Sequence, residues 1–318
     1  MGLYLGIDTS CYTTSLAVMD GGGSLLCEER KVLSVPQGGR GLAQNEAVFQ
    51  HINNLPVLIE RVLTAAPSGV LLGVTASTRP RPAAGSYMPV FKVAESYGRS
   101  IASMLKIPFV ETSHQEGHLA AGIWSAGGPG GQEFLAAHIS GGTTEILRVA
   151  NAGEGQFDIS ILGGTADLHA GQFVDRVGVR LGLPFPAGPH LEDLAGESRA
   201  EISIPSSARD YTVSFSGPEA AAMRLAEQGA KPADIARAVE KCVANTLEKV
   251  IRKAVLETGL KDVLIVGGVS ANRYIRERLP ARLGHSAIGA KLFFASGALS
   301  SDNAVGVALV GMKKLSRY

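Results

Sequence analysis

The chain has little cysteine, few aromatic residues and no surplus of either charge. Its three cysteines, Cys11, Cys27 and Cys242, are odd in number and far apart, which excludes a disulfide framework and a CxxC zinc or redox pair and points to a reducing compartment. No apolar run approaches the roughly 18 residues of a membrane span, Val263 to Val266 being among the most apolar. The opening MGLYLGIDTS has no basic segment followed by an apolar one. A soluble, cytoplasmic protein without a membrane partner is expected. Thirty basic against 29 acidic residues leave a net charge of +1, so no global field draws nucleic acid, and RNA binding would need a local basic face.

Apolar residues and glycine are plentiful. In 318 residues, 45% are hydrophobic and 19% charged, enough for a large core and too long for one small module. The 39 glycines exceed the average share of roughly 7% and mark turns where backbone approaches backbone or ligand.

Leu3 to Ile7 reads as a strand ending at Asp8, then comes a polar turn through Thr14 and a second strand, Ser15 to Met19. Phe134 to Ile139, the turn Ser140-Gly141-Gly142-Thr143-Thr144 and Glu145 to Ala150 repeat the arrangement. The repeat suggests two similar α/β halves facing a cleft. Helical spacing predicts helices over Glu46–Ala65, Val90–Leu105, Gln172–Leu181, Lys231–Glu257 and Asp302–Leu315, with strands at Val70–Ala76, Ile107–Glu111 and Val263–Val266 and a loop over Ser77–Pro89.

Asp8-Thr9-Ser10 is either an ordinary Asx turn or a carboxylate with hydroxyls able to hold metal, water or phosphate. The Ser140 to Thr144 turn has glycines that let amides approach a phosphate. Val266-Gly267-Gly268-Val269-Ser270-Ala271-Asn272 joins a strand to a helix; it is a tight capped turn or a surface for a flat nucleoside, and it is not the dinucleotide fingerprint GxGxxG. His114-Gln115-Glu116-Gly117-His118 sets two imidazoles at i and i+4, on one helical face, close enough to grip one metal ion or simply to line a helix surface. Thr112 and Ser113 are candidate caps, and Glu116 is misplaced for the general base of a zinc protease. A third ligand would have to come from afar, and Asp302 at a helix start is a candidate. Asp167 and Asp175 are ribose-binding acids or plain surface charges, and Phe185-Pro186-Ala187-Gly188-Pro189 is a rigid turn whose glycine could lie against a ligand.

Taken in order, Asp-Thr-Ser-Cys, HxEGH, Ser-Gly-Gly-x-Thr, Leu-Gly-Leu-Pro-x-Pro-x-Gly-Pro, Phe-Ser-Gly, Gly-Gly-Val-Ser-Ala-Asn-Arg and Ser-Asp-Asn resemble the TsaD family, the catalytic subunits of tRNA threonylcarbamoyladenosine synthase. The resemblance covers nearly the whole chain. It implies two actin-like, ribonuclease-H-like halves, residues 1–133 completed by a C-terminal helix over 298–318, and residues 134–297. It implies metal ligation by His114, His118 and Asp302, with iron or zinc in the site and magnesium only alongside nucleotide. Nucleotide, as ATP or threonylcarbamoyl-AMP, would meet Ser140, Gly141, Gly142, Thr143, Asp175, Gly188, Gly267, Gly268 and Asn272, while Asp8 and Thr13 would hold the catalytic positions. The implied reaction moves a threonylcarbamoyl group to N6 of adenosine 37 in tRNA, with accessory subunits or a second copy as partners, and Arg79, Arg81, Lys92 and Arg99 as a basic face for the RNA.

The chain departs from the family pattern at several points. Tyr12-Thr13-Thr14 stands where the family has Asp-Glu-Thr, Thr143 where it has His, and Thr78 to Gly85 replaces a glycine-rich loop. These changes keep two other readings in view, a carbamoyltransferase acting on a small molecule and a non-catalytic nucleotide-binding paralogue.

Overall fold

The computed structural model describes residues 1–10, 12–35, 42–153 and 155–316; Cys11 and the end of the expected C-terminal segment, 317–318, lie outside them. The first sheet is built from β1 (Gly2–Ser10), β2 (Thr13–Asp20), β3 (Leu25–Val32), β4 (Val70–Arg79) and β5 (Phe109–Ser113), in the order β3-β2-β1-β4-β5. β1 pairs antiparallel with β2 and parallel with β4, and as a central strand it is buried on both faces, hence its nearly unbroken apolar sequence. The turn expected over Thr9 to Thr14 is tighter than its polar sequence suggests, because Thr9 pairs with Thr14 and Ser10 with Thr13.

The second sheet repeats the scheme. β6 (Glu133–Ile139), β7 (Thr144–Gly153), β8 (Gln156–Gly164), β11 (Asp262–Val266) and β12 (Lys291–Phe294) lie in the order β8-β7-β6-β11-β12, again three antiparallel strands followed by two parallel ones. A small hairpin of β9 (Ser207–Arg209) and β10 (Thr212–Ser214) stands apart. The outer strands β3 and β8 and this hairpin carry weak alternation, and the sequence pattern does not predict them.

Helices form three layers around the two sheets. On the outside of the first sheet lie α1 (Gln44–Ala65) and α2 (Phe91–Leu105), burying Leu55, Leu58, Val62, Val93 and Ala102 against β1, β2 and β4. Pro56 interrupts the α1 hydrogen-bond ladder, and the Ile52 carbonyl it frees accepts the Tyr97 hydroxyl of α2 at 3.3 Å. Between the sheets run α3 (His114–Ala126) and α10 (Val305–Leu315), whose core joins Ala17 and Met19 of one sheet to Phe134, Leu147 and Leu264 of the other. The outside of the second sheet is covered by α4 (Ala170–Arg180), α5 (Gly188–Ala195), α6 (Ser216–Glu227), α7 (Pro232–Thr258) and α8 (Arg273–Leu283).

The two middle helices touch backbone to backbone. A Cβ on Gly306 of α10 would be driven into the carbonyl of Gly117 on α3, so this crossing requires glycine. The helix expected from Asp302 begins at Val305 instead, after the one-turn α9 (Gly297–Ser300). Asn303 explains the difference: its Oδ1 accepts the Val305 amide at 3.1 Å and its Nδ2 donates to the Leu299 and Ser301 carbonyls, so Asp302 sits in a connecting turn. Among the described residues no helix is long and apolar enough to cross a membrane.

Candidate metal centre and nucleotide cleft

α3 starts with a capping box. Ser113 Oγ accepts the Glu116 amide at 3.2 Å, and Glu116 Oε2 accepts from the Ser113 amide at 2.8 Å and the Thr112 hydroxyl at 3.1 Å. Glu116 is thus occupied with holding the helix start. The box fixes where α3 begins, and so aims His114 and His118, one turn apart, at the same point.

Asp302 meets that point from the turn before α10. His114 Nε2 and His118 Nε2 are 3.1 Å apart, and each lies 3.3 Å from Asp302 Oδ1. The three donor atoms therefore converge as one ligand set. Behind them Asp8, fully buried, sets one carboxylate oxygen 3.0 Å from His114 Nδ1 and accepts the Ser77 hydroxyl with the same oxygen. A proton held on Nδ1 by Asp8 leaves the Nε2 lone pair free, the usual second-layer device of metal-bound histidines.

Electrostatics agree with a cation site. Burial opposes charge on His114, but Asp8 and Asp302 overcome it and hold the imidazole up at about 10. Burial and then the charged His114 push His118 down. Burial also opposes ionisation of Asp302, yet hydrogen bonds from the two imidazoles keep it well below the usual carboxylate range. Two carboxylates thus face one protonated imidazole, and a divalent ion displacing that proton would bring the group to neutrality. Two imidazoles and a carboxylate are a donor set for iron or zinc rather than magnesium, which prefers oxygens.

A cleft of about 550 Å³ opens beside this cluster, and Ser301, next to Asp302, is part of its wall. Gly141, Asp175, Gly188, Gly268 and Asn272 line it, as do Glu240, Tyr12 and Phe185. Tyr12 and Phe185 meet edge-on across it with ring centres 5.7 Å apart. The side-chain oxygen of Asn272 caps α8 by accepting the Ile275 amide at 3.0 Å.

Other expected contacts are not brought to the cleft. Of the turn Ser140 to Thr143 only Gly141 lines it, because Ser140 Oγ accepts the Gly142 and Thr143 amides at 3.3 and 3.1 Å and folds the loop onto itself. Gly267 lies one residue behind the wall; its φ of +94° and the Ile139 backbone against its Cα exclude a side chain there. Thr13 sits in β2 opposite Ser10 and makes none of the cluster's hydrogen bonds among the described residues. Asp167 is a clip: Ser214, Ser216 and the Leu168 and Phe215 amides hold its carboxylate, which stays well below its ordinary range despite the opposing desolvation.

The expected basic face is largely neutralised. Arg79 and Arg99 pair with Glu111, Lys92 and Arg99 with Glu95, and Arg81 with Glu145 at 2.5 Å. His138 belongs to none of the sequence motifs, although it stands two residues before Ser140. It is buried on β6 with its ring 4.8 Å from that of His118, and neither ring nitrogen has a partner among the described residues.

Asp175 carries a measurable consequence. Burial raises its carboxyl to about 6, against an amide hydrogen bond from Ala187 at 2.8 Å that lowers it. Relative to an unfolded value near 3.9, folding favours the protonated form, so this contribution to stability is full below about pH 4 and lost as pH rises through 6. Asp175→Asn keeps an acceptor for Ala187 and removes the buried charge. We expect it to gain about 2 kcal/mol at pH 7.5 and nothing at pH 4, read from urea midpoints at the two pH values. An equal change at both would refute the burial argument.

Residues 28–309 match the family described as TsaD, tRNA N6-adenosine threonylcarbamoyltransferase. A curated protein of that name from Thermus thermophilus is 33% identical over 98% of this chain and 93% of its own length. Another from Aromatoleum aromaticum is 31% identical, covering 96% and 90%. Among solved structures, component A of the Acidaminococcus fermentans (R)-2-hydroxyglutaryl-CoA dehydratase superposes with a TM-score of 0.60 at 16% identity over 99% of both chains. A ROK family glucokinase from Streptomyces griseus, in complex with glucose and AMPPNP, gives 0.54 at 13% identity over 98% of this chain and 99% of its own. These structural likenesses establish the actin-like ATPase fold.

Proposed function

Since the chain belongs to the TsaD family of tRNA N6-adenosine threonylcarbamoyltransferases, we propose that it transfers a threonylcarbamoyl group from threonylcarbamoyl-AMP to N6 of adenosine 37 in tRNA. The single observation that carries this reading is the position of the His114–His118–Asp302 set at the wall of the cleft, joined to it through Ser301. One site then holds the adenylate and activates its carbonyl.

In this mechanism the cleft residues bind the leaving adenylate. Asp175 accepts from the ribose, Gly188 and Gly268 let the nucleoside lie against backbone, and the second Asn272 amide proton is free to donate. The apolar walls exclude water, which would otherwise compete with the acceptor amine. His114, His118 and Asp302 would hold a divalent ion, iron or zinc by their donor set, which would supply Lewis-acid stabilisation of the negative charge developing on the carbamoyl oxygen. Asp8 keeps the His114 tautomer correct, a positioning role rather than contact with substrate. Attack by the adenosine N6 forms the new C–N bond as the mixed-anhydride C–O bond to AMP breaks, and the proton shed by the amine passes to the departing AMP phosphate and from there to solvent.

With Arg79, Arg81, Lys92 and Arg99 already paired, RNA contact falls to other surfaces of this chain or to accessory subunits. The relatives described above are named for transfer to tRNA, and no feature of the site favours a small-molecule acceptor or a non-catalytic paralogue. The test is mass spectrometry of a tRNA reading A-starting codons after incubation with the protein, threonylcarbamoyl-AMP and Fe²⁺ or Zn²⁺, with and without accessory subunits of the family. Modified adenosine that disappears with His114→Ala is the expected result. An unmodified tRNA, beside a working family member in a parallel tube, would overturn the reading.

A further inference from the structure

Glu240 belongs to no motif, yet it closes the cleft from the α7 side. It is 3% exposed and part of the cleft wall. One oxygen accepts Asn272 Nδ2 at 2.6 Å and the other accepts Arg237 Nη1 at 2.6 Å. Because the Asn272 oxygen is committed to the Ile275 amide, its amide orientation is settled, and Glu240 takes one of the two remaining N–H groups. Arg237 is itself held in place, donating to the Ala195 carbonyl at 3.1 Å and lying 4.9 Å over the Tyr274 ring. The relay from α5 through Arg237 and Glu240 to Asn272 ends at the cleft.

We propose that Glu240 is a positioning residue for the nucleoside end of the cleft, holding the Asn272 side-chain amide toward the bound nucleoside. The proposal rests on the reading of this cleft as the nucleotide site. An ionised carboxylate accepts far more strongly from an amide than a neutral acid does, so the hold depends on the charge of Glu240. The groups that face it are Arg237 on its own helix, Glu192 on α5, Arg273 and Asn272 on α8, and, across the cleft, Asp175. Burial raises Glu240 to about 7, with Glu192 adding to the rise and Asn272, Arg237 and Arg273 opposing it. The hold is therefore present above pH 7 and weakens below it.

The test is calorimetric binding of adenosine to the full-length protein between pH 6.5 and 8. Adenosine lacks a phosphate that would titrate in this window. The unaltered protein should bind about fourfold more weakly at pH 6.5 than at pH 8, the loss of one ionised group titrating near 7. Glu240→Gln preserves shape and one acceptor without a titrating charge, and its affinity should show no more than the shallow slope left by Asp175. Any slope left by Asp175, which titrates lower, is common to both proteins and cancels in the comparison. Glu240→Ala should bind about tenfold more weakly at pH 8, a loss that Glu240→Gln partly restores. A fourfold slope retained by Glu240→Gln, or unaltered affinity in Glu240→Ala, would overturn the positioning role while leaving the cleft reading intact. Failure of the unaltered protein to bind adenosine would overturn both.

Discussion

His118→Ala should empty the metal centre and lower tRNA modification by about a thousandfold, with the fold preserved. Only two donors would remain, His114 Nε2 and Asp302 Oδ1, too few for a tight site where three side chains normally leave one position open. Lewis-acid stabilisation is worth several kcal/mol at the transition state, and about 4 kcal/mol corresponds to three decades of rate. The fold should survive because the remaining charges still satisfy each other: His114 lies between Asp8 and Asp302, 3.0 and 3.3 Å away, and stays protonated without a metal. Metal content by inductively coupled plasma mass spectrometry and turnover should fall together, while the far-ultraviolet circular dichroism stays the same. Full metal content with unimpaired turnover would show that the set does not ligate.

Gly306→Ala should be among the most destabilising single-methyl changes in the chain. The added carbon would be forced into the Gly117 carbonyl, with the Ala121 amide also within reach, and helix backbones offer no flexible side chain that could move aside. Overpacking typically costs about 1–3 kcal/mol and occasionally more, and rigid backbone on both sides puts this site at the upper end. The damage reaches the centre as well, since Gly117 lies between the two histidines and Gly306 four residues after Asp302. Parting α3 from α10 would draw the carboxylate away from the imidazoles. The thermal midpoint should drop by several degrees and metal affinity should weaken even at temperatures where the variant is folded. Gly284→Ala, which also meets a carbonyl but far from the cluster, should lose stability without losing metal. Equal metal affinity in Gly306→Ala and the parent would break the link drawn between the helix crossing and the centre.

The convergence of His114, His118 and Asp302 is legible in the sequence because most of it is local. Two histidines at i and i+4, with Ser113 before them and Glu116 between them in capping-box spacing, specify both the helix start and the shared face, and only Asp302 has to come from elsewhere. The repeated hairpins likewise announce two similar sheets. What escapes the sequence depends on directions that residue types do not encode. Ser140 to Thr143 has the composition of a phosphate turn, but the serine hydroxyl can satisfy its own loop as easily as a ligand. Glu95 stands at helical spacing from Lys92 and Arg99 and so its pairing is readable, whereas Glu111 and Glu145 reach Arg79 and Arg81 from other strands. Apolar periodicity continues behind Asp302 and so places it on a helix, and the side-chain bonds of Asn303 that end the turn are invisible to periodicity. Glu240 sits in a long amphipathic helix, where one buried acid leaves no mark.

The layer of α3 and α10 has one more consequence, for how the molecule comes apart. Each sheet buries one face against helices of its own and the other against this common pair, so each half has an interior of its own on one side only and shares the other. A cut between the repeats would strip both products of a face, and α10 follows both sheets in the sequence, so it can join α3 only after they have been made. Disruption of the shared layer should accordingly loosen both halves together, and both sheets must be made before the histidines and Asp302 meet.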